Sequence, residues 1–552
     1  MEIVFNYIGR MQQLERADTL LQQTDFALNE GDGEKMSDMG PDTPRFALFE
    51  ISAAVLDNKL QFTFMFNRRI KQADRIPTWM TECKRSLEEM VVQSAAASRE
   101  PTLSDYPLMS LTYNSLRKLQ QKVLPAAGIN HCDEVEDIYP CSAVQEGILI
   151  SQLRDPDLYN FHFVMKVKHG DPGHQVNGRL LGEAWQMVVD RHGALRTFFT
   201  DSVCDDETFD QVVLKNANSG VRLVECDDED VTKTLQSTTL REKNRTRNPP
   251  SPHQLTICST TKGNVFIKLE MNHAVVDGSS MPALMRDLAA AYENRLDDGK
   301  APLYKDYIRY IRGRKVNASV DFWKNYLRGT SRSYFPRIRS EPPSSKSHAS
   351  VRLHFGRFAQ LRDICEKSDI TLANMMHSAW ALVLREYIGC DDVCFGYLTM
   401  GRDAPVKDVQ DMVGVFINML CCRVQFTPEL TVAELLRSVQ DKYLESLPSQ
   451  HCSLAQVQHD LGMAGKPMYN TTLTVQNHSR SRDAPEEKVV FESVTGSDPT
   501  EVKKTPLLSP FLFNLHCNVD FTDTLCSSML LLSTLRPKKG MRAPALDTRQ
   551  TS

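Results

Sequence analysis

Asn264-Val265-Phe266-Ile267-Lys268-Leu269-Glu270-Met271 runs directly into Asn272-His273-Ala274-Val275-Val276-Asp277-Gly278, and Ser279-Ser280-Met281-Pro282 follows. Val265, Ile267, Leu269 and Met271 recur with period two, as on a strand with one buried face. Gly278, the serines and the proline then read as a tight turn into a helix start. Strand, turn and helix deliver one imidazole at the strand's end, which makes His273 the candidate base. A histidine beside an apolar strand is most often a half-buried structural residue, so its neighbours must decide. Asp277 lies four residues on, but Val275-Val276 and Gly278 oppose a helix between the two, which excludes a helical metal pair. No further His or Glu cluster completes a metal site in the sequence. Asp277 is better read as pointing away from the reacting centre and pairing with an arginine, which stiffens the turn while His273 faces a cleft. Asp190-Arg191-His192-Gly193-Ala194-Leu195-Arg196-Thr197 supplies the candidates, Arg191 first and Arg196 second. Taken alone, both arginines read as solvated charges at a helix end.

The 552 residues are enough for two to four domains, with 41% hydrophobic and 24% charged residues. Net charge is −5, and Lys and Arg are dispersed, so nothing resembles a nucleic-acid surface. The 14 cysteines form no C-x-x-C pair; Cys421-Cys422 are adjacent, and Cys390 and Cys394 border a turn entering a strand. They read as reduced thiols of a cytoplasmic protein. No signal peptide and no apolar window of about 18 residues is present, so no membrane partner is expected.

Residues 1–98 read as one unit, with strands at Phe46–Val55 and Leu60–Phe66 around the turn Asp57-Asn58 and a helix after Pro77. Residues 99–132 read as a proline-punctuated linker with a helical piece from Ser115 to Val123. From Asp133, helix and strand signals alternate: helices at Ala143–Arg154, Leu180–Arg191 and Ser280–Arg295, and strands at Phe161–Val167, Gln211–Leu214 and Val265–Met271. This is the pattern of an α/β lobe, 133–303. A second lobe, 304–525, carries helices Ile370–Tyr387 and Val432–Leu447 and strands Val393–Leu398 and Phe416–Val424. Residues 526–552 read as a disordered or aberrant tail.

These residues carry a resemblance. Asn272-His273-x-x-x-Asp277-Gly278 is similar to the H-H-x-x-x-D-G signature of condensation domains of nonribosomal peptide synthetases. Other motifs agree in order. Tyr139-Pro140-Cys141-Ser142-Ala143-Val144-Gln145-Glu146-Gly147 resembles the opening motif, Arg191-His192-x-x-Leu195-Arg196-Thr197 the second, and Tyr304-Lys305-Asp306-Tyr307 the fourth. Val413-Gly414-Val415-Phe416-Ile417-Asn418-Met419 resembles the glycine-phenylalanine-asparagine motif of the far lobe, and Asp391-Asp392-Val393-Cys394-Phe395-Gly396 with Gly401-Arg402 is typical of fungal members. Phe5-Asn6-Tyr7-Ile8-Gly9-Arg10, Gly40-Pro41 and the hairpin resemble the end of an epimerization domain. That tail has no H-x-x-x-D-G of its own, so no epimerase activity is expected.

The resemblance implies a two-lobed α/β fold like chloramphenicol acetyltransferase. It also implies amide formation between a donor thioester and an acceptor amine, both tethered to phosphopantetheine arms of carrier domains. Partners would be those carriers and the adenylation domains of the same synthetase; no metal or bound cofactor is needed. His273 would orient or deprotonate the amine, or stabilise the tetrahedral intermediate. Asp277, Arg191 or Arg196, and Asn272 would be structural, and Gly278 would let the backbone approach the reacting centre. A preceding epimerization tail implies a condensation domain that accepts a D-configured donor. Asn272 departs from the family's first histidine, and the expected final strands are disrupted after Asp498, which leaves a truncated lobe or a non-catalytic scaffold as competing readings; a stand-alone acyltransferase of the same fold, acting on a soluble amine or alcohol, is another.

Overall fold

The structure, a computed structural model, describes residues 3–10, 47–56, 59–67, 70–96, 100–171, 173–238, 248–297, 299–314, 316–335, 348–355, 357–463, 468–477, 488–494, 500–501, 513–519 and 525–532. The chain divides into two compact units, residues 1–100 and 101–552.

In the first unit, β1 (Ile3–Arg10) runs parallel to β2 (Phe49–Leu56), which forms an antiparallel hairpin with β3 (Lys59–Phe66). The 21-residue helix α1 (Ile76–Ala96) follows. Gly40-Pro41, part of the resemblance above, and the turn Asp57-Asn58 lie outside the described residues.

The second unit has two lobes. In the first, β4 (Val135–Pro140), β6 (Thr197–Asp201) and β7 (Phe209–Leu214) make a small antiparallel sheet. A larger sheet orders β5 (Asn160–His169), β10 (Val265–Asn272), β9 (His253–Thr260) and β8 (Val221–Cys226) side by side. The odd-numbered residues of β10 do what their period requires. Val265, Ile267, Leu269 and Met271 join Leu181, Trp185 and Val188 of α3 (Gly178–Arg191) and Leu284 and Leu288 of α4 (Met281–Tyr292) in one core. Helix α2 (Ala143–Arg154), capped by Ser142, packs Ile148 and Leu149 in a separate cluster with Phe209 and Ala274.

Residues 101–132, read above as a linker, are built into this lobe. Tyr106, Met109, Leu116, Leu119, Leu124 and Ile129 are buried against Val135, Ile138, Phe198 and Val212. The prolines punctuate the backbone, but these apolar side chains bury too much surface to leave the segment in water.

The second lobe is a six-stranded sheet ordered β11 (His348–Phe355), β18 (Leu525–Leu532), β17 (Phe513–Val519), β14 (Thr471–Asn477), β12 (Asp392–Thr399) and β13 (Asn418–Gln425). Residues 525–532 are thus a strand between two others, where an aberrant tail was expected; residues 533–552 lie outside the description. An apolar run at the end of a chain carries no period to betray its partners, and here they are strands far away in sequence.

Two segments of the second lobe cross to the first. Between β12 and β13 the chain leaves the sheet at Met400 and returns at Asn418. After β14, β15 (Val489–Ser493) and β16 (Thr500–Glu501) pair with β5, extending the first lobe's sheet.

The second lobe buries His377 under β12, its ring 4.7 Å from that of Tyr397. Burial lowers its pKa to about 4, whereas an unfolded histidine titrates near 6.5. The unfolded chain therefore binds a proton that the folded one refuses between these values, and stability falls as pH drops through that window. Urea unfolding should show a loss on the order of 3 kcal/mol from this group between pH 6.5 and 4, removed in His377→Leu. Superimposable pH profiles for the two proteins would contradict a neutral, buried His377.

Candidate functional site

Strand β10 is held on both sides, and both ladders run to its end, where Asn272 lies opposite Asn160 and donates its N–H to the Pro252 carbonyl (2.9 Å). The chain then turns sharply. Asn272 Oδ1 accepts from the Ala274 N–H (2.8 Å), an Asx turn that straddles His273. The His273 N–H donates to the Tyr159 carbonyl (2.8 Å). Buried Gln145, from the opening motif, donates to the Ala274 carbonyl (2.8 Å). The half-buried His273 ring lies 4.2 Å from the Phe161 ring, and its Nδ1 is 3.1 Å from the Val276 carbonyl oxygen. A carbonyl only accepts, so in the neutral ring Nδ1 carries the proton and Nε2 keeps its lone pair.

Asp277 is fully buried and caps the helical turn that opens α4. Its Oδ1 accepts from the Ser280 N–H (3.1 Å) and Oγ (2.9 Å), and its Oδ2 from the Phe416 N–H (2.8 Å). Its own N–H donates to the Gly414 carbonyl (3.1 Å). The cation beside it is Arg402, 3.6 Å from Oδ1. Arg402 also donates to Ser280 Oγ (3.0 Å) and to the Gln410 (3.2 Å) and Met412 (2.9 Å) carbonyls, and its guanidinium lies 4.1 Å from the Phe416 ring centre. Burial pulls its pKa down, against the opposing pull of Asp277.

Arg191 and Arg196, the arginines assigned to Asp277 from sequence, are therefore both engaged elsewhere. Arg191 Nε donates to Asp287 Oδ2 (3.0 Å), which also contacts His192 Nε2 (2.9 Å). Arg196 binds Glu136 (2.6 Å) and the Val189 carbonyl (3.1 Å). Arg191 ends α3 and Arg196 ends the 3-10 turn after it, whereas Asp277 faces the segment that crosses from the other lobe. Gly401-Arg402 carries only a family resemblance in the sequence, with nothing local that ties its arginine to Asp277.

That crossing segment fits because of two glycines. Gly401 sits at φ +60, where a Cβ would come within 2.0 Å of the Phe416 carbonyl oxygen; a Cβ on Gly414 would lie 2.1 Å from the Tyr304 ring. Tyr304, on α5 (Tyr304–Arg312), donates its hydroxyl to the Val415 carbonyl (2.6 Å). Burial raises the Tyr304 and Tyr307 phenols far above their usual range, so both remain protonated near neutral pH. Phe416 was expected to begin a strand. Its N–H goes to Asp277 instead of a ladder partner, and the strand starts at Asn418.

Gly278 is exposed, and a Cβ there would meet nothing within 4 Å. The protein itself does not demand glycine at this position. Beside it, Ser279 Oγ lies 3.2 Å from the Met400 sulfur of the second lobe.

Among the described residues, His169, Asp171 and His174 bring ligand atoms within 4.8 Å of one another at the far end of β5. His169 Nδ1 already accepts from the Asp171 N–H (3.1 Å), which occupies the lone pair nearest that carboxylate. No described helix is long and apolar enough to cross a membrane.

Residues 135–516 match the family model described as Condensation domain. The chain is 46% identical over 506 residues to Nonribosomal peptide synthetase 1 of Aspergillus fumigatus and 44% identical over 506 residues to Nonribosomal peptide synthetase 4 of Gibberella zeae. Each alignment covers 92% of this chain but only 8% and 7% of the relative, so the chain spans less than a tenth of their length. Among solved structures, the condensation domain of Monacolin K polyketide synthase MokA superposes with a TM-score of 0.57 at 16% identity, over 72% of this chain and 93% of that one. The starter condensation domain of rhizomide synthetase RzmA gives 0.56 at 17%, over 72% and 89%. These likenesses show the fold, the two-lobed arrangement of chloramphenicol acetyltransferase.

The Asp277 assignment is testable by a double-mutant cycle. Arg402→Ala strips the cation from a buried carboxylate and should destabilise by about 3–5 kcal/mol in denaturant titrations. Combined with Asp277→Asn it should be strongly non-additive, while Arg191→Ala with Asp277→Asn should add. Additive losses for the Arg402 pair would remove it as the partner.

Proposed function

Given that this chain belongs to the condensation-domain family, we propose that it forms an amide bond between a donor acyl thioester and an acceptor amine, each carried on a phosphopantetheine arm. The names of its fungal relatives, nonribosomal peptide synthetases, support carrier-tethered amino acids as the substrates. The observation that carries the reading is His273, set on a rigid turn with Nδ1 held by the Val276 carbonyl, the tautomer in which Nε2 is the basic nitrogen.

In the reaction the amine nitrogen attacks the thioester carbonyl, a C–N bond forms, and the C–S bond breaks. The proton lost by the amine passes to His273 Nε2 and then to the departing thiolate. Thioesters are already activated, so placement supplies much of the rate, and tethering replaces bulk concentration by an effective one on the order of mM. A positioned base adds about 10²–10⁴-fold. Asp277, Arg402, Ser280 and Phe416 hold the turn without meeting substrate. With the donor and acceptor loaded onto isolated carriers, His273→Ala should lower product formation by about 10²–10⁴-fold. Equal product from wild type and variant would end the role of His273. No product from a wild type that still binds carriers would favour a scaffold, and transfer to a free amine would favour a stand-alone acyltransferase.

For the first unit we propose the closing part of a related domain, of the epimerization type. Its support is a repeated topology. The parallel pair β1 and β2 followed by the β2–β3 hairpin matches the parallel pair β14 and β17 followed by the β17–β18 hairpin. The chain leaves at Arg10 and returns at Phe49 in one case, and leaves at Asn477 and returns at Phe513 in the other. Ile3, Phe5 and Tyr7, alternate residues of β1, are each about 60% exposed. An apolar row of that kind suits a surface meant to be covered. This reading expects a D-configured donor to outcompete its L-isomer in the same carrier assay; an L preference would count against it.

A further inference from the structure

Gln152 and Asn272 face each other as two carboxamides. Gln152 Nε2 donates to Asn272 Oδ1 (3.2 Å), and Asn272 Nδ2 donates to Gln152 Oε1 (3.3 Å). The remaining capacity of the two inner atoms is also used. Gln152 Nε2 donates its second hydrogen to the Leu158 carbonyl (2.8 Å), and Asn272 Oδ1 accepts a second time, from the Ala274 N–H (2.8 Å). A carboxamide presents donor and acceptor on one planar fork, which is what such a reciprocal pair needs.

The geometry surrounds His273. The Asn272 end sets the Asx turn across it. The Gln152 end fixes Leu158, whose neighbour Tyr159 is held at φ +57 and gives its carbonyl to the His273 N–H. A non-glycine residue in the left-handed region needs such outside support. On the same helix, Gln145 grips the Ala274 carbonyl (2.8 Å). Residues 145 and 152 are seven apart, so they share one face of α2.

We propose that Gln152 and Asn272 are a matched positioning pair, through which α2 sets the backbone of His273 and the direction of its Nε2. Neither touches substrate. Asn272, where the family pattern has histidine, is then a working half of a two-residue device. A histidine at 272 offers at most one ring acceptor to two donors, Gln152 and the Ala274 N–H. The turnover part of the test rests on the condensation reading; the spectroscopic part does not.

The full chain, labelled with ¹³C and ¹⁵N in its histidine rings, gives a His273 signal assigned by its loss in His273→Ala. Gln152→Leu, Asn272→Leu and Asn272→His should each move that signal away from the Nδ1–H tautomer. Each should lower kcat by about 10- to 100-fold at unchanged KM for the carrier-borne amine. The Gln152→Leu/Asn272→Leu double variant should lose clearly less than the product of the two single losses. Asn272→Asp keeps both acceptor contacts but sets its second oxygen against Gln152 Oε1, so its signal and turnover should fall between those of the wild type and the leucine variants. Adding Gln152→Glu to it opposes two carboxylates and should abolish both. An unchanged ring signal in Gln152→Leu, or losses that multiply in the double variant, would overturn the pair. If the leucine variants do not fold, the Asn272→Asp and Asn272→Asp/Gln152→Glu comparison decides. A wild type without turnover would defeat the condensation reading alone, and the ring signal would still judge the pair.

Discussion

A carboxylate taken wholly out of water must be supplied with donors, and Asp277 obtains them from both lobes. Ser280 comes from its own turn, while Phe416 and Arg402 come from a segment of the other lobe. The rest of the site follows from this. Arg402 can reach Asp277 because Gly401 turns where no side chain fits, and Gly414 can approach because it carries no Cβ to meet the Tyr304 ring. The His273 turn is thereby clamped between the α2 glutamines on one flank and the crossing segment on the other.

The strand-turn-helix around His273 was legible in sequence because its information is local. The apolar period of β10, the Asp-Gly step and the proline of α4 lie within twenty residues of one another. Helices α2, α3, α6 (Leu372–Ile388) and α7 (Val432–Ser446) were placed to within two residues at each end for the same reason. The arginine that meets Asp277 was not legible. Choosing among arginines needs the tertiary fold, and Arg191 and Arg196 sat in a recognisable motif while Arg402 sat in a loop. Strand β9 was missed because Pro252 and a row of polar residues mask a segment buried on both faces. The 101–132 segment was misjudged because proline signals outweighed six well-spaced apolar residues.

Partition into two lobes is sound as a description of sheets but poor as a description of dependence. The second lobe lends the first its carboxylate donors through the crossing segment, and it lends β15 and β16 to the edge of β5. Neither lobe owns its own surface. A cut at the boundary near residue 304 would strip Phe416 and Arg402 from Asp277 and leave β5 with a bare edge.

The bond from the Phe416 N–H to Asp277 spans 139 residues. Chains are synthesised at about 5–20 residues per second, so Asp277 leaves the ribosome on the order of ten seconds before the group that completes it. Through that interval the His273 turn has its helix-side supports and nothing on the other flank. The His273 turn therefore gains its second flank only once residue 416 has been made, so the order of synthesis as well as the fold decides when this loop becomes rigid.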